Sequence, residues 1–136
     1  MIVFTGLSYS AVGKPTRCNG WAFRDNHSMP KQITPSALST RMGAGEKFLV
    51  IDVRQPEEYA ITKIAGSTLI PLPELMSRVG EVEPADGMQI VVYCHHGVRS
   101  MTGAALLERA GNANVLSLAG GIDAWSCQVD PNVPRY

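Results

Sequence analysis

The sequence lacks the features that mark nucleic-acid-binding and membrane proteins. Its 136 residues carry 12 basic and 12 acidic side chains, and the basic residues are scattered along the chain. Proteins that bind nucleic acids usually gather Lys and Arg on one face, so we expect no nucleic-acid partner. No apolar run approaches the roughly 20 residues that cross a bilayer, and the first residues do not resemble a signal peptide. The composition therefore predicts a cytoplasmic protein with no membrane partner.

Cysteine and histidine are also scarce, with three of each. The cysteines are Cys18, Cys94 and Cys127. An odd number without paired spacing favours neither a disulfide framework nor a Cys-x-x-Cys metal site, so at least one free thiol is expected. His95 and His96 would need further ligands to hold a metal, and the remaining histidine, His27, lies far away in the chain. We therefore predict no metal site and no cofactor.

The chain has the length of one domain, and its two parts differ in pattern. Residues 1–28 mix Gly, Ser, Asn and single aromatics without a helical or strand period, which predicts a loosely ordered N-terminal extension. Regular patterns begin after Met29, so residues 29–136 are predicted to form the folded domain. Whether residues 1–28 have a purpose of their own is left open by the sequence.

Strand and helix patterns alternate from Met29 onward. The predicted strands are "KQI", "KFLVIDVR", "GSTLIPL", "MQIVVYC" and "NVLSL". The predicted helices are "TPSALSTRM", with Thr34 as N-cap and Pro35 at the first helical position, "LPELMSRV", "RSMTGAALLERAG" and "GIDAWSC", and "QPEEYA" is predicted to form one helical turn with acidic residues near its start. Strict alternation implies an α/β fold with a mostly parallel central sheet and helices on both faces. Sites in such sheets form at the carboxyl ends of the strands, where Cys94 falls.

Cys94 lies where a predicted buried strand turns into a predicted helix. The free N–H groups and the positive end of the helix dipole favour an anion at this position, so a thiolate is stabilised and becomes a nucleophile. Gly97 permits a positive φ, Arg99 brings a fixed positive charge, and Ser100 stands where an N-cap is expected. The alternative is an inert buried cysteine at the end of a strand. The nearby glycine, arginine and helix start favour the reactive interpretation.

Four stretches carry a resemblance to the single-domain rhodaneses, a family of sulfurtransferases. They are "LVIDVRQPEEYA", "ITKIAGSTLIPL", "YCHHGVRS" and "LAGGIDAW", in the order that the family has them. The final "VDPNVPRY" resembles the tail of small bacterial rhodaneses and of rhodanese domains fused to sulfur-carrier adenylyltransferases. One departure is the triplet Thr62, Lys63 and Ile64, where the family usually has Gly-His-Ile. The resemblance implies a rhodanese-like fold.

The resemblance also implies a reaction. Cys94 takes the outer sulfur of thiosulfate or of a persulfide donor and passes it to cyanide or to a thiol or protein acceptor. The residues expected to bind the substrate are those of the loop: His95, His96, Gly97, Val98, Arg99 and Ser100. For Arg99, a salt bridge that fixes the loop is an open alternative. Asp52 and Arg54 are expected to support the loops as a polar network. The glycines of "AGGIDAW" are expected to shape a tight turn near the site, and Trp125 to pack in the core.

Two other functions were weighed against sulfur transfer. Cysteine phosphatases and arsenate reductases hold a tetrahedral oxyanion in a loop that runs from Cys to Arg. Only four residues separate Cys94 from Arg99, one fewer than in those loops, and the shorter ring suits a sulfur atom better than a phosphate. A rhodanese-like fold that only binds a partner would be favoured if Cys94 were absent, and it is present.

Overall fold

The computed structural model of the protein describes residues 30–136. The predicted N-terminal extension, residues 1–28, lies outside this part of the chain, and so do Cys18 and His27. The five strands are β1 (Lys31–Ile33), β2 (Phe48–Asp52), β3 (Thr68–Leu69), β4 (Gln89–Tyr93) and β5 (Leu116–Leu118). The four helices are α1 (Pro35–Gly43), α2 (Pro56–Ile61), α3 (Val98–Arg109) and α4 (Gly121–Gln128). No helix within residues 30–136 is both long and apolar enough to span a bilayer.

The strands form one sheet in the order β1-β5-β4-β2-β3, and every neighbouring pair is parallel. The predicted fold class is therefore confirmed. Strand β4 is central because it pairs with β2 on one side and β5 on the other. Its sequence "QIVVY" is apolar almost throughout, as expected for a strand that is covered on both faces. Cys94 follows this central strand directly.

Two apolar clusters cover the two faces of the sheet. Alternate residues of β4 belong to different clusters, with Val92 in one and Val91 in the other. The first cluster includes Leu107 of α3. The second includes Leu38 of α1 and Trp125 of α4, which confirms the predicted core position of this tryptophan. The expected placement of helices on both faces follows from these contacts.

Helix ends agree with the signals in the sequence at two places. The side chain of Thr34 accepts a hydrogen bond from the N–H of Ala37 at 3.1 Å, and Pro35 occupies the first turn of α1. Both features were predicted from the sequence. Gly111, with φ of +108°, follows the end of α3, where the left-handed conformation turns the chain out of the helix.

The prediction of a helix over "LPELMSRV" is wrong. This segment forms two short 3₁₀ turns, Leu72–Glu74 and Val79–Glu81, separated by irregular turns. Pro73 disfavours the α conformation for the residue before it, and Gly80 weakens a helix at the other end. Too few residues remain between them for a stable helix, and the segment is instead anchored by the fully buried Leu75.

Candidate active site

The sulfur of Cys94 faces two backbone N–H groups at the start of the following helix. Cys94 is 1% exposed and follows β4, and its Sγ accepts hydrogen bonds from the N–H of Gly97 at 3.1 Å and of Ser100 at 3.3 Å. These amides belong to the start of α3, so the dipole of this helix points its positive end at the sulfur. Two fixed donors and a helix N-terminus together stabilise negative charge on Cys94 or on an atom bound to it.

Ser100 does not cap α3 as the sequence predicted. The helix begins at Val98, its N-cap is Gly97 with φ of 101°, and Ser100 lies in its first turn. The sulfur of Cys94 takes over the role of a capping acceptor because it receives the N–H of Ser100, at the third helical position, and also that of the N-cap residue Gly97. The hydroxyl of Ser100 lies 3.6 Å from Cys94 Sγ and shares a 2.7 Å hydrogen bond with the hydroxyl of Ser117. Ser100 therefore contributes a backbone donor and a nearby hydroxyl.

Helix α4 fixes the other side of the loop. The N–H of Ile122 donates to the carbonyl oxygen of Cys94 at 2.8 Å, and the N–H of Asp123 donates to that of His95 at 3.1 Å. These two hydrogen bonds fix the peptide groups of Cys94 and His95, from which the loop runs on to the donors Gly97 and Ser100. A Cβ atom on Gly121, where φ is +63°, would overlap both carbonyl groups. The predicted tight turn in "AGGIDAW" is confirmed, and its glycine allows α4 to approach the loop this closely.

Arg99 forms a bidentate salt bridge with Glu58 of α2. Its Nη1 lies 2.8 Å from Oε1 and its Nη2 lies 3.0 Å from Oε2 of that carboxylate. The bond to Arg99 outweighs partial burial and lowers the pKa of Glu58 to about 2, so Glu58 is charged at neutral pH. The hydrogen bonds to Glu58 also raise the pKa of Arg99. Arg99 thus forms a salt bridge that fixes the loop to α2, which is the alternative that the sequence left open beside donor binding.

Asp52 and Arg54 form a salt bridge whose two side chains are 0% exposed. The guanidinium binds the carboxylate through Nε and Nη2, and Nη2 also donates to the carbonyl oxygen of Thr62 at 2.6 Å. The backbone N–H of Arg54 donates to the same carboxylate at 2.9 Å. The pair therefore links the end of β2 to the segment after α2, including the residue at which the sequence departs from the family pattern.

The two histidines after Cys94 stack on each other. Their ring centroids are 3.9 Å apart, and His95 stacks on its other side against the ring of Tyr136, also at 3.9 Å and nearly parallel at 7°. His95 is half-buried, and burial lowers its pKa, as does the neighbouring His96. His96 is exposed, and its Nδ1 lies 3.9 Å from Oδ2 of Asp123. Val98 is 77% exposed. These side chains form the outer surface of the loop.

Sequence reasoning missed Glu58, Ser117 and Tyr136 as parts of the site. Glu58 lies in the segment "QPEEYA" and Tyr136 ends the family-like tail "VDPNVPRY", and the sequence assigned neither residue to the site. The signal that could have found Glu58 is the need of Arg99 for an acidic partner from another element. Cys127 is a free, exposed cysteine of α4. Among residues 30–136 no three His, Cys, Asp or Glu side chains lie close enough together to hold a metal ion.

Comparison with known proteins connects this geometry to a family. The family described as "Rhodanese-like domain" matches residues 34–128. The chain is 38% identical over 104 residues to the "Probable adenylyltransferase/sulfurtransferase MoeZ" of Mycobacterium tuberculosis, with 76% of this chain and 26% of that protein covered. It is 36% identical over 98 residues to a protein of Allochromatium vinosum named "Sulfurtransferase", with 72% of this chain and 90% of that protein covered.

The fold has similar solved structures. A rhodanese-related protein from Thermoplasma volcanium superposes with a TM-score of 0.65 at 30% sequence identity, and the match covers 78% of this chain and 99% of the other. The chain spans about a quarter of the Mycobacterium tuberculosis relative but nearly the whole of the Allochromatium vinosum and Thermoplasma volcanium proteins. The predicted resemblance is therefore confirmed by both sequence and structure.

Proposed function

The chain belongs to the rhodanese-like domain family, whose relatives include sulfurtransferases, and we propose that it transfers a sulfane sulfur atom through a persulfide on Cys94. The observation that carries this proposal is the pair of N–H groups, from Gly97 and Ser100, directed at Cys94 Sγ from the start of α3. The same donors that stabilise the attacking thiolate also stabilise the anionic persulfide that it becomes.

The first step of the proposed cycle is loading. The Cys94 thiolate attacks the outer sulfur of thiosulfate, the new bond forms between Cys94 Sγ and that sulfur, and the bond inside thiosulfate breaks. Sulfite leaves with the electron pair of the broken bond, and the outer sulfur carries the negative charge of the persulfide. A persulfide donor would react in the same way and leave as a thiolate. The part of the Arg99 guanidinium that Glu58 does not use is the group proposed to meet an anionic donor.

The second step is transfer to an acceptor. A cyanide ion or the thiolate of a small thiol or a protein attacks the outer sulfur, and the sulfur–sulfur bond on Cys94 breaks. The electron pair returns to Cys94 Sγ, which restores the thiolate held by Gly97 and Ser100. The exposed side chains of His96 and Val98 are the loop residues proposed to face the acceptor.

The proposal is tested by intact-mass spectrometry after incubation with thiosulfate. Wild-type protein should gain the mass of one sulfur atom and lose it again on addition of cyanide. The Cys94→Ser variant should gain no sulfur, because it lacks the thiolate nucleophile. The matched controls Cys18→Ser and Cys127→Ser should load as the wild type does. Sulfur that still binds covalently to the Cys94→Ser variant would refute the role of Cys94.

A further inference from the structure

Tyr136 joins two salt bridges that would otherwise be separate. Its hydroxyl accepts a hydrogen bond from Nη1 of Arg54 at 2.7 Å and donates to Oε2 of Glu58 at 3.2 Å. Arg54 belongs to the buried pair with Asp52, and Glu58 belongs to the pair with Arg99. A continuous chain of charged and hydrogen-bonded groups therefore runs from the end of β2 to the Cys94 loop, and Tyr136 lies in its middle.

The hydroxyl of Tyr136 completes the set of donors around Glu58. Oε1 of this carboxylate accepts from the N–H of Gln55 at 3.0 Å and from Arg99 Nη1, while Oε2 accepts from Arg99 Nη2 and from Tyr136. An ionised carboxylate offers about four acceptor positions, so all of them are filled. A carboxylate whose acceptor positions are all occupied cannot rotate without breaking a hydrogen bond. Glu58 therefore holds the guanidinium of Arg99 in one orientation.

The direction of the hydroxyl is fixed by its neighbours. Arg54 is always protonated and can only donate, so the hydroxyl of Tyr136 must accept from it and is left to donate its own proton to Glu58. The ring of Tyr136 is fixed as well, because it stacks on His95, the residue after Cys94. Tyr136 thus contacts the loop from one side through His95 and from the other through Glu58 and Arg99.

We propose that Tyr136 is a positioning residue of the site: its hydroxyl, anchored on Arg54, fixes the Glu58 carboxylate that aims Arg99 at an anion approaching Cys94. The consequence for sulfur transfer rests on the proposed function, but the placement of positive charge beside Cys94 does not. Arg99 uses two of its five N–H groups on Glu58 and presents the others to an incoming anion only while that pair keeps its orientation. This arrangement of Tyr136, Glu58 and Arg99 favours the reaction of Cys94 with anionic reagents over neutral reagents of the same size.

The test compares two alkylating reagents of similar size, the anion iodoacetate and the neutral iodoacetamide, with the site of reaction read at Cys94 by peptide mass spectrometry. The Tyr136→Phe variant keeps the ring on His95 and loses only the hydroxyl. It should lower the ratio of the iodoacetate to the iodoacetamide rate constant about threefold, the size of one modest hydrogen bond. The matched control Tyr59→Phe removes a hydroxyl that donates to Ser67 and should leave the ratio unchanged.

A second background separates positioning from general stabilisation. Arg99→Ala should itself lower the ratio about tenfold, since it removes the charge near the sulfur. Adding Tyr136→Phe to Arg99→Ala should then have no further effect on the ratio, because the hydroxyl acts only through Arg99. An unchanged ratio in Tyr136→Phe alone, or an equal fall in both backgrounds, would overturn the proposal. So would a rise in the ratio, which would mean that Tyr136 keeps Arg99 away from anions.

Sulfur loading supplies the readout that depends on the proposed function. In Tyr136→Phe the thiosulfate concentration needed for half-maximal loading should rise about threefold while the loading rate at saturation changes little. If the wild type takes no sulfur from thiosulfate or a persulfide but the alkylation ratio behaves as expected, the proposed function fails and the role of Tyr136 stands. If the wild type loads sulfur normally but the ratio of alkylation rates does not change in Tyr136→Phe, the proposed function stands and the role of Tyr136 fails.

Discussion

Gly121 is the position at which a single methyl group should damage the site most directly. Its φ of +63° is left-handed, a conformation that costs an L-residue about 1 kcal/mol. The Cβ of an alanine there would overlap the carbonyl groups of Cys94 and His95, which are backbone and cannot swing aside as a flexible side chain would. Overpacking of this kind costs about 1–3 kcal/mol. We expect Gly121→Ala to lower the free energy of unfolding by about 2–4 kcal/mol.

A matched glycine separates the two contributions. Gly87 has φ of +77°, and no atom lies within 4 Å of the Cβ position there, so Gly87→Ala carries the backbone strain without the overlap. Its free energy of unfolding should fall by about 1 kcal/mol. Both are measured by urea denaturation followed by circular dichroism, and the difference between the variants isolates the contact with the loop.

The same overlap should also reach the chemistry of the site. To admit the methyl group at Gly121, the carbonyl groups of Cys94 and His95 must turn away from α4, and the loop that carries the N–H groups of Gly97 and Ser100 shifts with them. Alkylation of Cys94 by iodoacetamide should therefore be slower in Gly121→Ala than in Gly87→Ala. Equal destabilisation of the two variants together with equal alkylation rates would refute the reasoning that α4 shapes the loop.

Two further predictions concern the salt bridges. Because the pKa of Glu58 is lowered from about 4.3 to about 2, its ionised form stabilises the fold above its unfolded pKa, and this contribution is lost as pH falls through the folded value. Glu58→Gln should thus be less stable than wild type by about 2 kcal/mol in urea denaturation at pH 7, and this difference should shrink between about pH 4 and 2; equal stability of the two proteins at every pH would contradict this prediction. Asp52→Asn leaves the charge of Arg54 buried without its counter-ion and should lower the free energy of unfolding by about 3 kcal/mol. The control is Glu46→Gln, which breaks the exposed salt bridge with Arg41 and should change the free energy of unfolding little in the same urea titrations. A similar fall in the free energy of unfolding in both variants would show that burial of the salt bridge is not decisive.

The features predicted well from the sequence are those that depend on neighbouring residues. The apolar run before Cys94 predicts a buried strand of a parallel sheet, whatever its position in the sheet. A helical pattern begins within a few residues after Cys94. Together they locate Cys94 between β4 and α3 without any knowledge of the other elements. The cap of α1 at Thr34 was predicted for the same reason, since a cap and the amide that it binds are only three positions apart.

The features that were missed depend on residues far apart in the chain. The partner of Arg99 is Glu58, and nothing near either residue selects the other. Ser100 was wrongly assigned as the cap of α3, because no local pattern shows that the sulfur of Cys94 would accept the first amides of the helix. Tyr136 joins the site only once the segment after α4 has folded back over His95. Such contacts follow from packing of the whole domain.

The parallel sheet has a consequence for the order in which the site is completed. No two neighbouring strands are joined by a tight turn, and the pairing of Lys31 with Leu116 joins two residues that are 85 positions apart in the chain. Folds with such a high contact order form their pairings late. During synthesis Cys94 leaves the ribosome well before Ile122, whose N–H holds the carbonyl of Cys94 in place. The nascent chain therefore carries Cys94 without the two hydrogen bonds by which α4 fixes its loop until α4 has emerged and docked.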